Sequence, residues 1–352
     1  MASDTYLKRN WKLILNIVTI LALVVLAIAV RKQLVQTIDN LGRVHAWALL
    51  LIIPIEVLNY HAQTRMFQGL FNIVEERLTY KYVFKLALEL NFVNHVFPSG
   101  GVSGISYFGL RLRSGGISTG KSTVVQLMKF VMIFASFEVL LIFGMLILAA
   151  VGRVNNLVIL LGGSLTTLMV AGTAAGVYII GDRRRVQVFF SNATRFINRV
   201  IHLVRPKHPE TISLERVRPV FDELHENYSL FKSKLKDLRG PFWWAMVANI
   251  TEILAVYVVY IAFGHWVNLG AMILAYAVAN FAGFVSVLPG GVGVYEALMT
   301  GVLVIGGVPA AVSIPATIMY RVVNTVIQVP PGYVLYHRYL RRKNGEVEVG
   351  DV

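Results

Sequence analysis

The sequence predicts an all-α polytopic membrane protein made of two inverted-topology halves, each with a re-entrant or broken helix pair interrupted by Pro-Gly-Gly. Three observations carry that prediction. Only 15% of the 352 residues are charged and 56% are hydrophobic, whereas soluble domains carry roughly 25% charged residues. Several runs almost free of charge reach the roughly 20 residues that cross about 30 Å of hydrocarbon. The order of charged and glycine-rich features in the first half also recurs in the second.

WKLILNIVTILALVVLAIAV (11–30) has one charge, at its edge. It exceeds a signal-peptide core in length, and no small-residue cleavage site precedes Arg31-Lys32, so it reads as a retained helix. Further apolar segments lie at about 46–67, 122–150, 242–264, 268–288 and 310–336, and LVILLGGSLTTLMVAGTAAGVYII (157–180) is uncharged. Two segments are awkward. Tyr80–Phe97 is mixed in polarity and halts at PSGGVSG (98–104). After PGG (289–291), the run 292–306 gives only ~22 Å of helix. Such interruptions at membrane depth are tolerated only where protein or a water-filled cavity surrounds them.

Basic residues set the orientation. Lys8, Arg9 and Lys12 flank the first helix, and Arg111, Arg113 and Lys121 follow the first Gly loop. The segment 182–240 has thirteen Lys/Arg against seven Asp/Glu, and the tail reads HRYLRRK (337–343). Placing all four groups in the cytoplasm satisfies the positive-inside rule. It puts both termini of a multi-pass inner-membrane protein inside. The chain then enters 80–97 from the inside and returns inside at Arg111. The segment 268–306 begins and ends outside, by a re-entrant pair or by two full crossings.

Residues 1–352 are expected to form a single membrane domain, with a first repeat (46–150), a cytoplasmic linker (182–240) and a second repeat (241–336). Within the linker, Phe189, Ala193, Phe196, Ile197, Val200 and Val204 share a helical face suited to anionic lipid. Leu214, Val217, Phe221, Leu224, Tyr228, Phe231, Leu235 and Leu238 form a heptad-like stripe that needs a helix to pack on, in this chain or a partner.

The two halves correspond at four points. Glu56 in PIEVL matches Glu252 in ITEIL, and Asn91-Phe92 matches Asn280-Phe281. Pro98 with Gly100 and Gly101 matches Pro289 with Gly290 and Gly291, and Lys129 matches Arg321. Each half reads glutamate helix, broken glycine hairpin, cation helix. On the topology above the halves run in opposite senses, as in many secondary transporters.

NFVNHVFPSGG, ANFAGFVSVLPGGVGVYEALM and IMYRVVN resemble the lysylphosphatidylglycerol synthase transmembrane region, also called the flippase-like (UPF0104) family. The resemblance covers about 11–340, and PGGVGVYEA (289–297) is its most specific part. Members with attached domains make and flip aminoacylated phosphatidylglycerol, using a soluble aminoacyltransferase domain after the membrane part. With the sequence ending at Val352, no such domain is expected. The resemblance therefore implies lipid translocation rather than enzymatic synthesis, with the lipid unassigned.

Other chemistries fit the sequence less well. There are no cysteines, which excludes disulfides and thiolate metal sites. No His/Asp/Glu spacing resembles a metal site, and no cofactor is implied. The net charge of +14 suits Lys/Arg held beside anionic lipid better than nucleic acid. Gly115-x-x-x-x-Gly120-Lys121-Ser122 satisfies the Walker A pattern, yet a P-loop needs a strand before it and a soluble helix after it. Ser122 instead opens a long apolar run, so no nucleotide is expected, and Lys121 is expected to anchor a helix at the headgroups.

Ionisable side chains inside apolar segments usually face a partner or a cavity. Glu56, Lys129, Glu138, Glu252, Glu296 and Arg321 qualify. Lys129 and Arg321 would attract a phosphate, and the glutamates would bind a cationic group or take up a proton. Alternatively, Glu–Lys/Arg pairs tie helices together. Glu296 either complements a helix dipole or couples transport to a cation; the family resemblance favours coupling. Glycines of the two loops can bring freed N–H groups to a phosphate or simply make tight turns. Asn91 and Asn280 could hydrogen-bond exposed backbone there, and His95 reads as a helix-end hydrogen-bonder. The expected partners are membrane lipids: anionic or aminoacylated phospholipid, polyprenyl-phosphate or glycolipid. A homodimer is compatible with the sequence. A small-anion transporter, an intramembrane lipid-phosphate transferase and a subunit anchoring a separate lipid-modifying enzyme are the competing classes.

Overall fold

The computed structural model describes residues 35–42, 44–97, 102–152, 156–189, 226–285 and 293–341, with isolated positions between 21 and 32 and between 191 and 223. All regular elements among these residues are helical. After a turn at Ala46–Leu49 they are α1 (Ile52–Ile73), α2 (Tyr80–Val96), α3 (Val102–Arg113), α4 (Thr119–Ala150) and α5 (Asn156–Ile180). A 3₁₀ turn at Leu235–Leu238 leads into α6 (Arg239–Ala262), α7 (Leu269–Val285), α8 (Val294–Ile305) and α9 (Ala310–Arg341). Four helices among the described residues are long and apolar enough to cross a membrane: α4, α5, α6 and α9. Most of the 11–30 helix, both Pro-Gly-Gly loops and most of the linker lie outside the described residues.

Local chemistry sets the helix starts. Thr79 caps α2 by accepting the Tyr82 N–H (3.3 Å), and Ser118 caps α4 by accepting that of Lys121 (3.2 Å), each satisfying a donor that the first turn leaves unpaired. Pro54 lies in the first turn of α1, where a missing N–H costs nothing. This start replaces the expected 46–67 span with a turn and a helix that runs on to Ile73.

Helix α1 packs antiparallel to α6. The His45 N–H donates to the Ala262 carbonyl (2.9 Å) at one end, and Gly69 sits on Pro241 at the other. Between them Asn59 donates to the Ala248 carbonyl (3.0 Å) and Thr251 Oγ1 (2.9 Å), the polar bonding that holds helices together without a hydrophobic driving force. Helix α9 lies on α2, and α7 on α4. At both crossings glycine allows backbone approach: Gly332 lies on the Leu88 carbonyl and Phe92, and Gly270 on the Gly144 carbonyl.

Exposed tryptophans mark two interfaces. Trp47 (67% exposed) and Trp266 (80%) flank the His45–Ala262 end, and Trp243 (65%) lies at the opposite end of α6. Trp243 is nineteen residues before Ala262 on α6, ~28 Å along the helix, so the tryptophans match aromatic belts at the two edges of a bilayer. The end beyond Trp243 is the basic one. There Lys121 Nζ donates to Glu76 (2.5 Å), Lys234 Nζ donates to Glu75 (3.1 Å) and the Ile73 carbonyl (3.3 Å), and the Gly120 N–H donates to Glu223 (3.0 Å). The end of α9 joins them through Tyr339, whose hydroxyl donates to Ser114 (3.4 Å). Part of the heptad-like stripe is also visible here. Phe231 is buried in a cluster with Val74, Ile117 and Val186, and Tyr228 and Leu238 pack on it, so this part of the stripe seats on its own chain.

Candidate functional site

A ladder of polar side chains runs along α9. Tyr320, Asn324 and Gln328 are spaced by four residues and so share one helix face. Gln328 Nε2 donates to Asn324 Oδ1 (3.0 Å), and Asn324 Nδ2 donates to the Tyr320 hydroxyl (3.4 Å). Each end of the ladder meets a carboxylate. Gln328 Nε2 also donates to Glu56 Oε2 (2.9 Å), and the Tyr320 hydroxyl donates to Glu252 Oε2 (3.3 Å), as does Tyr276 (3.4 Å). Asn91 Nδ2 donates to Gln328 Oε1 (2.8 Å) and the Tyr60 hydroxyl (2.6 Å). Five helices thereby share one network: α1, α2, α6, α7 and α9.

The network sits deep. Glu56 lies eleven residues beyond His45, and Glu252 ten before Ala262, the two residues bonded at that end of the helix pair. At 1.5 Å per residue both are ~15 Å from that end, level with each other and near the middle of α6. Glu56 is only 2% exposed, and its Oε1 is buried with no hydrogen-bond partner among the described residues.

One turn of α9 also carries Arg321, whose guanidinium donates to Glu296 Oε1 (2.6 Å) and lies 5.1 Å from the centre of the Tyr295 ring. Glu296 Oε2 accepts the Gly293 N–H (2.6 Å). Gly293 has φ +88°, a backbone that L side chains rarely adopt. Glu296 therefore both complements the N-terminus of α8 and holds the arginine. The Tyr295 hydroxyl is buried with no partner among the described residues.

Of the residues singled out in the sequence, Glu56, Asn91 and Glu252 are joined through the ladder, and Glu296 pairs with Arg321. Asn280 donates to the Tyr276 carbonyl one turn back (3.0 Å), and so stays within its own helix. His95 Nδ1–H donates to the Asn91 carbonyl (3.0 Å) at the end of α2. Lys129 stands elsewhere: 8% exposed, with its ammonium 5.1 Å from the Phe67 ring centre and 5.8 Å from that of Phe130. Glu138 is half-buried on α4. Pro98, Gly100, Gly101, Pro289, Gly290 and Gly291 lie outside the described residues.

The sequence reading missed Tyr60, Tyr276, Tyr320, Asn324 and Gln328. Their only signal was the four-residue spacing of the α9 set. It also missed Glu89, buried on α2, which accepts from the Tyr107 hydroxyl (2.8 Å) and Arg111 Nε (3.1 Å). Arg111, counted above among the orienting basic residues, is drawn inward between the Tyr82 and Tyr339 rings, where it clamps α2 to α3 and to the end of α9. At the Walker-like stretch a helix, α3, precedes the loop. Glu76 holds Lys121, and Glu223 takes the Gly120 N–H that a phosphate would need.

An all-helical chain with several spanning helices around a buried polar network is a polytopic membrane protein. It belongs to the family described as the lysylphosphatidylglycerol synthase TM region, which matches residues 13–332. It is similar to a UPF0104 membrane protein of Methanothermobacter thermautotrophicus, 27% identical over 187 residues that cover 51% of this chain and 52% of that protein. Another match to a protein of that description and organism is 29% identical over 110 residues, covering 30% of this chain and 32% of the relative. The chain thus spans about half the length of the first of these relatives, or less of the second. The family connects the protein with membrane lipids and suggests lipid-related transport.

Proposed function

We propose that the protein translocates a phosphate-bearing lipid headgroup across the cytoplasmic membrane through the polar centre of the bundle, while the acyl chains stay in lipid. The observation that carries this reading is the mid-depth network, which gathers Glu56 and Asn91 from the first half and Glu252, Tyr276, Tyr320 and Gln328 from the second. Arg321 is adjacent on α9 and supplies a fork that suits a phosphate. Smaller polar contacts, such as Asn249 with Ser136 (2.7 Å), also hold helices together. A chain of side chains from five helices is more than such pairing requires.

The packing is consistent with two inverted halves. If α1 corresponds to α6, α2–α3 to α7–α8, and α4 to α9, then α1 on α6 is the contact between equivalents. The crossings of α2 with α9 and of α7 with α4 are then the same contact seen twice, each with a glycine at its close approach. In this reading the Pro-Gly-Gly segments are re-entrant or broken, the basic face is cytoplasmic, and so are both termini. The chain acts as a transporter rather than an enzyme.

The test uses purified protein in liposomes with fluorescently tagged lipids of different headgroups, following dithionite access to the inner leaflet. Headgroup-dependent flipping in the wild type and its loss in Arg321→Ala are expected. No flipping of any headgroup, under proton or sodium gradients alike, would sink the reading and favour a subunit that anchors a lipid-modifying enzyme. Competition by a soluble anion instead of lipid would point to small-anion transport.

A further inference from the structure

We propose that Glu56 and Glu252 hold at least one proton between them in the resting protein, and that one proton crosses with the anionic headgroup. The inference rests on the translocation reading and names its coupling ion. It begins from charge. Both carboxylates belong to one network, joined through Gln328, Asn324 and Tyr320. Among the described residues, every hydrogen bond they accept comes from a neutral donor: the Gln328 amide and the Tyr276 and Tyr320 hydroxyls.

The charged and titratable groups that face them from the packed helices do not offset two negative charges. On α9, Arg321 is already held by Glu296 of α8. On α2, His95 donates its Nδ1–H to the Asn91 carbonyl. Tyr60 of α1 lies on the same network through Asn91. Lys129 of α4 lies over Phe67, eleven residues further along α1 than Glu56, ~16 Å away along the helix. An isolated charge at membrane depth neutralises rather than persists. A second observation agrees with the count: Glu56 Oε1 is buried without a partner, a place an ionised oxygen occupies poorly.

The coupling follows from the same charges. A headgroup phosphate that takes Arg321 from Glu296 adds one negative charge and frees a third carboxylate. The site then accepts the anion more readily when the pair holds its proton, and by linkage holds the proton more tightly when the anion is bound. The step forms one carboxyl O–H bond on uptake and breaks it on release to water at the other face. No electrons move, and one anionic headgroup with one proton crosses without net charge.

The experiment has two parts, both on the full chain. The first is infrared spectroscopy at neutral pH in detergent. A carboxylic-acid carbonyl band is expected in the wild type, and its shift or loss in Glu56→Gln or Glu252→Gln. Absence of that band in the wild type overturns the proposal without any reference to transport, and the second variant serves if the first misfolds. The second part uses phosphatidylcholine vesicles containing tagged phosphatidylglycerol. For one proton per lipid, a gradient of about one pH unit shifts the final leaflet ratio of tagged lipid about tenfold. Glu56→Gln and Glu252→Gln are each expected to lose that shift. Wild-type flipping that ignores the pH gradient, or follows a sodium gradient, overturns the proton and leaves translocation standing. Complete absence of flipping removes the translocation reading, and the coupling falls with it.

Discussion

Two of the buried cations, Arg321 and Lys129, differ in their surroundings. Arg321 is met by a carboxylate at 2.6 Å next to a polar network. Lys129 is met by the faces of Phe67 and Phe130, in a region whose neighbours are Phe71, Val125 and Met128. Both were equally visible as charges in apolar runs, but they make different contributions. A desolvated cation–π contact is worth about 2 kcal/mol or more, well short of the several kcal/mol that burying an ion costs. Arg321 is balanced where it stands. Lys129 is not balanced by any carboxylate among the described residues, which is the condition in which an anionic ligand gains most.

The largest effect expected from this difference is on stability. Arg321→Met strands Glu296, and removing one partner of a buried pair costs about 3–5 kcal/mol. Thermal unfolding in detergent should show a large loss, and adding Glu296→Leu should recover most of it. A single change that left the melting temperature untouched would show that the pair is not a unit.

Next in size is a test of whether the two helix crossings are as alike as the two cations are different. Gly332→Ala would place a methyl 2.5 Å from the Leu88 carbonyl and Phe92 Cβ, and overpacking of that kind costs about 1–3 kcal/mol. Gly270→Ala, set against the Gly144 carbonyl, should cost a similar amount. A twofold or larger disparity between the two losses would separate the halves as the cations do.

These contrasts also explain what the sequence could and could not display. Glu56, Glu252, Glu296 and Arg321 stand out because charge is rare in apolar helices. The pairing of Glu296 with Arg321 was not legible, since it joins residues 25 apart on different helices. Gln328, Asn324 and three of the tyrosines are ordinary in membrane helices, and only their meeting in space makes a network. Glu89 was hidden for the opposite reason: α2 is mixed enough in polarity that another acid carried no signal. Helix existence followed from apolar length. The start of α1 did not, because the turn at Ala46–Leu49 is as apolar as the helix it precedes.

A smaller effect of opposite sign is expected at Lys129. Lys129→Met removes a buried charge and strands no acid, so stability should hold or rise by about 1 kcal/mol or more. If the lysine receives the headgroup phosphate, flipping should fall in the same variant. Higher melting temperature with undiminished flipping would leave Lys129 as an unbalanced charge with no transport role.

The smallest effect should come from Lys121, eight residues earlier on the same helix. Its ammonium pairs with Glu76 at 2.5 Å, but both side chains are 29% exposed. Water and salt screen such a pair, and exposed pairs are worth about 0.2–1 kcal/mol. Lys121→Ala should therefore lower the melting temperature slightly, less so at high salt, and leave flipping intact. The variant also tests the Walker-like reading of this stretch. With the lysine held by Glu76 and the Gly120 N–H by Glu223, added nucleotide should not raise the melting temperature of the wild type. A nucleotide-dependent rise that Lys121→Ala abolished would mean that both acids yield to a phosphate, and the contrast between a structural Lys121 and a ligand-seeking Lys129 would have to be reversed.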